Sequence, residues 1–211
     1  IRLMARRKPG DAIEKLIADT MAMEAEAAQD AGALGFMARA LVQATLPHKK
    51  VTGPEFTRRN GAYTLTLLAP SHIGLPYGTV PRILLAWMTT EAVRTQSREL
   101  VLGDNLSKFM RALDLVPTGG RWGTVGRLKD QSRRLFASTV SASYADKEKY
   151  AETGYRLADK SVLWWDGGNA DQAGLWQSTV TLTEGFYREV IEHPIPVDMR
   201  AIRALKRSPM A

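Results

Sequence analysis

The sequence predicts an α+β fold, because segments with helix periodicity and segments with strand periodicity are interspersed along the chain. Two observations favour helices: apolar residues recur at three-to-four spacing after Pro81 and again over residues 121–137. A third observation favours strands. Residues 55–70 contain Asn60-Gly61, a strong hairpin turn dipeptide, and apolar residues alternate with threonine over residues 63–67. At 45% hydrophobic residues, the chain has enough apolar side chains for a sizeable core.

Two helices are predicted at the N-terminus. Residues 11–31 are rich in Ala, Glu and Met, and their apolar residues form a stripe on one face. This stripe predicts an amphipathic helix packed on the body of the protein, and the alternative is a helix that binds a partner or a second copy. Gly32 ends it, and a second helix is predicted over residues 33–46, before Pro47.

The central and C-terminal segments predict a winged helix-turn-helix. After the helix that begins near Pro81, we expect a strand at 99–102, a helix from 106, a turn at 117–120 and a long helix at 121–137. Strands at 138–144, 161–166 and 175–183 follow, and the polar segment 145–160 is expected to be the wing loop. The predicted architecture is therefore a winged helix-turn-helix domain with N-terminal helices and a small antiparallel sheet.

Three units are predicted along the chain. They are an N-terminal amphipathic helix (1–33), a first winged-helix domain (34–190), and a linker with the first helix of a second, truncated winged-helix domain (191–211). The last unit is predicted because a Pro-bearing linker leads into a basic amphipathic helix. Since the chain starts at Ile1 rather than Met, we expect a fragment of a longer protein.

Composition favours a polyanionic partner and argues against several other classes. The formal net charge is +7, which promotes association with polyanions. The chain has no cysteine, so disulfides and Cys-ligated zinc are excluded. No apolar run approaches the ~18 residues of a membrane-spanning helix, so no membrane partner is expected.

The sequence also predicts a non-enzyme without a metal or another cofactor. His48, His72 and His193 lack the spacing of metal ligands. There is no phosphate-binding loop with its lysine, no nucleophile elbow and no concentrated carboxylate pair for catalytic magnesium. We therefore expect no catalytic residues.

The long helix at 121–137 carries the signal for nucleic acid. Between Arg121 and Arg134 there are four Arg and one Lys against a single Asp. A helical wheel places the apolar residues of this segment on one side and most of its charges on the other. A basic helix after a Gly-rich turn fits the DNA major groove, and its cations attract phosphate. Whether they read bases or grip phosphates is open at this stage.

The chain resembles the plasmid-encoded RepA replication initiator family over residues 34–209. The resemblance rests on segments 41–48 (LVQATLPH), 58–67 (RRNGAYTLTL), 74–138 and 204–209 (ALKRSP). It implies a cytoplasmic, plasmid- or nucleoid-associated protein that binds repeated double-stranded origin DNA, helps to open the duplex and recruits host replication initiation and helicase-loading proteins. It further implies a homodimer, and two winged-helix domains of which this chain holds the first.

The resemblance assigns the recognition role to the long helix, and we expect DNA contacts from seven of its residues. They are Arg121, Thr124, Arg127, Lys129, Gln131, Arg133 and Arg134, with Arg127, Arg133 and Arg134 foremost. Two alternatives stay open: a winged-helix transcription repressor or autoregulator, and a domain of the initiator that chiefly dimerises.

Overall fold

The computed structural model describes residues 9–103, 106–120, 123–163 and 178–204. Its helices and short antiparallel strands are interspersed along the chain, so the α+β prediction is confirmed. The helices are α1 (Pro9–Asp30), α2 (Arg39–Gln43), α3 (Thr79–Thr95), α4 (Leu106–Ala112), α5 (Thr124–Ala137), α6 (Glu184–Glu192) and α7 (Met199–Ala204). The strands are β1 (Leu34–Ala38), β2 (Glu55–Asn60), β3 (Tyr63–Leu68), β4 (Glu99–Val101), β5 (Thr139–Ala145), β6 (Tyr150–Arg156), β7 (Ala158–Val162), β8 (Thr179–Leu182) and β9 (Pro194–Asp198).

The N-terminal region departs from the sequence prediction after its first helix. α1 confirms the helix expected over residues 11–31. The helix expected over residues 33–46 is wrong in its first part, where β1 forms instead. β1 pairs antiparallel with β9, and the N–H of Phe36 donates to Thr90 Oγ1 at 2.9 Å. These partners are distant in the sequence, and they override the helix propensity of the Ala, Leu and Met residues.

A four-stranded antiparallel sheet has the order β2-β3-β5-β6. Its first hairpin confirms the predicted turn, since Asn60 pairs with Tyr63 and Gly61 has a φ of 60°, a left-handed conformation that suits glycine. The inner face of this sheet buries Leu65 and Leu67. The alternation that predicted β3 is therefore the alternation of core and solvent faces.

The prediction of a polar wing loop over residues 145–160 is wrong. This segment holds β6, which pairs with β5, and the start of β7. The turn between β5 and β6 is held by Asp146, whose Oδ1 accepts from the N–H groups of Glu148 and Lys149 at 2.8 and 2.7 Å. β6 is an edge strand, and Tyr155 is its one buried residue. A strand that is exposed on both faces lacks the alternation that marks a half-buried strand.

A three-stranded antiparallel sheet has the order β4-β8-β7. Val180 of β8 lies between Leu100 of β4 and Ser161 of β7 in the register. Along the chain, α4 and α5 come between β4 and β7, and the β5–β6 hairpin follows α5. This small sheet therefore gathers strands from both sides of α5 in the sequence.

The centre of the core is α3, which contacts α5, α6 and β1. Its buried residues are Val80, Pro81, Ile83, Leu84, Leu85, Ala86, Met88, Thr89 and Ala92. Fully burying a Leu or Ile side chain stabilises the folded state by roughly 1.5–3 kcal/mol. α3 is thus a scaffold against which α5 is held.

The C-terminal elements of the described chain pack back on its N-terminal part. β9 pairs with β1 from Leu34 opposite Asp198 to Ala38 opposite Pro194, and Ile202 of α7 packs against the core. The unit boundary between residues 190 and 191 stays a prediction, since the described residues end at 204. Among the described helices, none is both long and apolar enough to cross a membrane.

Candidate nucleic-acid interface

The turn before α5 is closed by two threonines. The N–H of Thr124 donates to Thr118 Oγ1, and the N–H of Thr118 donates to Thr124 Oγ1, both at 2.9 Å. The Thr124 hydroxyl also donates to the carbonyl of Val116. Gly123 follows the same turn, where a Cβ would lie 2.2 Å from the carbonyl oxygen of Thr118. The first amide of α5 is satisfied as by an N-cap, and the start of the helix is held in place.

α5 turns one face into the core and the other outward, as the wheel predicts. The buried residues are Leu128, Gln131, Ser132, Leu135 and Phe136. The exposed residues include Gly126, Arg127, Asp130 and Arg133. At 100° per residue, Gly126 and Asp130 run along the middle of the exposed face. Gly126 and Asp130 form a strip with cations on both of its sides. We call Arg127 and Arg134 the Arg134 flank, and Lys129 and Arg133 the Arg133 flank.

Arg134 is bound to the body of the protein. Its Nε donates to Asp130 Oδ2 at 2.8 Å, and its guanidinium lies over the ring of Tyr77, 5.7 Å from the ring centroid. Its side chain is 17% exposed. A Cβ at Gly74 would lie 2.5 Å from Arg134 Nη1, so the loop before α3 closes tightly on this arginine. Arg134 therefore joins α5 to that loop.

Gln131, a predicted contact residue, is not on the exposed face. It is 2% exposed. Its Oε1 accepts from the N–H of Tyr77 at 2.8 Å, and its Nε2 donates to Asp130 Oδ2 at 3.0 Å. A wheel places this residue on the edge of the core face, and only the loop that covers that edge decides that it is buried. The side-chain amide of Gln131 therefore helps to attach α5 to the loop at Tyr77.

The other predicted contact residues have different positions. Arg127 is exposed, and its side chain makes no hydrogen bond or ion pair within the described part of the chain. Lys129 is half-buried and has an interaction partner. Thr124 belongs to the closed turn. Arg121 lies outside the described residues.

Two further cations approach the Arg133 flank from the strands. Arg156, the last residue of β6, and Lys160 of β7 line one surface depression together with Arg133. Both belong to the segment 145–160 that the sequence predicts to be a wing loop. The spacing along β6 and β7 gave no signal, because the depression forms only when these strands pack beside α5.

The described residues offer no site for a metal ion. Within residues 9–103, 106–120, 123–163 and 178–204, no group of three His, Asp or Glu side chains converges as metal ligands do. The guanidinium and ammonium groups on the exposed face of α5 can bind an anion, because they donate charge-assisted hydrogen bonds.

The sequence identifies the family of this basic-helix protein. Residues 75–211 match the family described as "Plasmid encoded RepA protein". This match covers more than half of the chain, so the chain belongs to the plasmid-encoded RepA family. The resemblance stated from the sequence is confirmed. No curated protein matches the chain.

Two solved structures of RctB are similar to the chain in fold. One is a selenomethionine derivative of domains 2 and 3 of RctB, with a TM-score of 0.49 and 8% sequence identity over 72% of this chain. The other, also of domains 2 and 3, has a TM-score of 0.49 and 7% identity over 73% of this chain. The chain spans 59% of the length of each.

Proposed function

We propose that this chain is a plasmid replication initiator that binds double-stranded origin DNA through the exposed face of α5. The observation that carries this proposal is the cationic outer face of α5, on a helix whose start is closed and whose inner face is buried. Family membership supports the same conclusion. As a bacterial plasmid protein of this kind, it would act in the cytoplasm with the host replication initiation and helicase-loading proteins.

The order of elements supports a winged helix-turn-helix. α3, β4, α4, α5, β7 and β8 follow one another in the order of that motif, with the β5–β6 hairpin inserted after α5. The sheet order β4-β8-β7 puts the last strand between the other two. In this arrangement α5 is the recognition helix.

The residues on the exposed face of α5 support insertion of this helix into the major groove. Gly126 lies on the central line of this face, and a Cβ there would meet nothing within 4 Å. A helix with a glycine in the middle of its exposed face and cations on both sides allows the groove floor to approach at that glycine while the flanks face the two phosphate backbones. Arg127 and Arg133 are exposed on opposite flanks of this strip.

The proposal is tested by fluorescence anisotropy of the full chain on random and origin-repeat duplexes across a salt series. Each phosphate contact contributes about 0.9 to the slope of log K against log salt. The variant Arg127→Ala/Arg133→Ala should therefore lose about 1.8 units of slope. Arg94→Ala is the matched control, since this arginine is 73% exposed on a different helix. If the double variant keeps the wild-type affinity and slope, α5 is not the DNA-binding face.

Initiation is separated from simple repression by duplex opening. A repressor or autoregulator binds the same DNA without melting it, whereas an initiator makes origin bases reactive to permanganate in the presence of host factors. Loss of opening in the Arg127→Ala/Arg133→Ala variant, with opening intact in Arg94→Ala, is the expected result. Binding without any origin-dependent opening by the wild-type chain would favour the repressor.

Homodimerisation is a second candidate role, and the edge strand β6 favours it. β6 pairs only with β5 among the described strands, so the backbone groups on its other side are open to a second strand. Tyr150 on this strand is 67% exposed. An exposed edge strand is a template for pairing with another chain. Sedimentation equilibrium of the wild type and of Glu152→Pro would test this pairing, because the N–H of Glu152 faces the open edge of β6 and proline removes that donor.

A further inference from the structure

Three cations from three elements line one depression beside α5. Arg133 comes from α5, Arg156 from the end of β6 and Lys160 from β7, and the depression has a volume of about 220 Å³. The side chains of these three residues make no hydrogen bond or ion pair within the described ranges. Like charges that share a depression repel one another, so this arrangement becomes favourable when an anion binds between them.

The one acidic residue that lines the depression is already paired. Asp159 Oδ2 accepts from Arg98 Nη2 at 2.8 Å. Arg98 lies outside the lining residues and also pairs with Glu184 Oε2 at 3.1 Å, so it offsets the charge of Asp159 in part. The three cations therefore keep an excess of positive charge toward the depression.

The floor of the depression is apolar. Phe136 and Ala158 line it and are 4% and 2% exposed. Apolar walls lower the local dielectric constant and strengthen the attraction of an anion. The hydroxyl of Ser161, also a lining residue, offers a neutral donor. A volume of about 220 Å³ lies below the range of roughly 300–1,000 Å³ that holds small-molecule ligands, so a single anionic group fits better than a whole nucleotide.

The backbone beneath these cations is held by regular structure. The Thr183 hydroxyl donates to the carbonyl of Arg156. Lys160 pairs in register with Thr181 of β8. Arg133 lies next to Arg134, which is bound to Asp130. The helix and the two strands fix the backbone positions from which the three cations reach the depression.

We propose that this depression is a phosphate-binding subsite that holds one phosphate group of the DNA backbone beside the exposed face of α5. The inference rests on the proposed function, because the same helix must lie on DNA. Guanidinium and ammonium groups are the side chains that bind phosphate oxygens. A contact of this kind positions the protein on the duplex without reading its sequence.

The test measures DNA binding by the full chain with Arg156→Ala/Lys160→Ala, a variant that leaves α5 unchanged. The salt slope should fall by about 0.9 in total, because the three cations hold one phosphate together and the contact is lost when any of them is removed. Affinity at 0.1 M salt should fall about eightfold, equally on random and origin-repeat duplexes. Arg156→Lys/Lys160→Arg should retain the wild-type slope, since both charges remain. Adding Arg127→Ala should lower the slope by a further ~0.9, because Arg127 faces a different phosphate.

The outcomes separate this inference from the proposed function. If Arg127→Ala lowers the slope and Arg156→Ala/Lys160→Ala does not, the subsite is wrong and DNA binding by α5 stands. A fall of about 1.8 with Arg156→Ala/Lys160→Ala would mean two phosphates and would also overturn the single subsite. Failure of the wild-type chain to bind any duplex would overturn the DNA assignment of both.

Inorganic phosphate distinguishes a free ligand from the DNA backbone. Thermal unfolding is measured in phosphate and in chloride at equal ionic strength. A higher Tm in phosphate that disappears in Arg156→Ala/Lys160→Ala supports the phosphate chemistry of the depression. If that shift occurs without any effect of the two substitutions on DNA binding, the ligand is a free phosphate and the backbone assignment is wrong. If the Tm shift is absent or persists in the variant, the depression does not bind free phosphate, and the slope test alone decides.

Discussion

Arg133 and Arg134 are adjacent on one helix, yet their side chains have opposite surroundings. Arg134 is bound to Asp130, lies over Tyr77 and is 17% exposed. Arg133 is exposed and faces two further cations across a depression. One arginine attaches the helix to the protein, and the other is available to a ligand. Arg134 therefore serves mainly stability, and Arg133 is available for binding.

The largest effect on stability is expected from Gln131→Met. This change keeps the side-chain volume of the buried Gln131 but removes the acceptor for the half-buried N–H of Tyr77, which loses its partner. An unsatisfied buried group costs about 1–3 kcal/mol, and urea unfolding should show this loss. Ser132→Ala is the matched control. Ser132 Oγ is buried and has no hydrogen-bond partner among the described residues, so its removal should leave the free energy of unfolding unchanged or raise it. Equal losses in both variants would contradict a specific role for the Gln131 amide.

A smaller effect is expected from Arg134→Ala. Loss of the partly exposed ion pair and of the ring contact with Tyr77 should lower the free energy of unfolding by about 1 kcal/mol. Arg133→Ala should change it by less than about 0.5 kcal/mol, as most surface substitutions do. In DNA binding the order should reverse, with Arg133→Ala the weaker binder. A double-mutant cycle of Arg134→Ala with Asp130→Asn measures the pair itself. If Arg134→Ala and Arg133→Ala are equally stable, the two arginines do not differ in their contribution to the free energy of unfolding.

A gain in stability is expected from Gly126→Ala, between the two flanks. A Cβ there meets no atom within 4 Å, and alanine favours a helix interior over glycine. The free energy of unfolding should therefore rise by about 0.5–1 kcal/mol. If α5 lies in the DNA groove along this strip, the added methyl group should weaken DNA binding in the same protein. A more stable variant with unchanged affinity would show that the strip stays clear of the DNA.

The sequence predicts the parts of this fold that rest on local signals. The Asn60-Gly61 hairpin follows from the turn dipeptide, and the core face of α5 follows from helical periodicity. The sequence does not predict β1, because its partner β9 lies near the other end of the described chain. β6 was missed because an edge strand with two exposed faces has the composition of a loop.

The candidate site was predicted as a surface, and its internal differences were not. The charges of α5 indicate an anion-binding helix. Nothing in the order of residues separates Arg133 from Arg134, since the difference comes from the loop at Tyr77 on one side and from Arg156 and Lys160 on the other. Both partners are non-local, and neither pattern nor propensity describes them.

The pairing of β1 with β9 has a consequence for the order of folding. A chain synthesised from its N-terminus holds β1 without its partner until Pro194–Asp198 has left the ribosome. Contacts of such long sequence separation form slowly, because the entropy of loop closure is lost before they are made. Until then, β1 has an unpaired edge that is open to the wrong strand. The strand that pairs with β1 is thus translated long after β1 itself, and nascent chains are exposed to misassembly until it arrives.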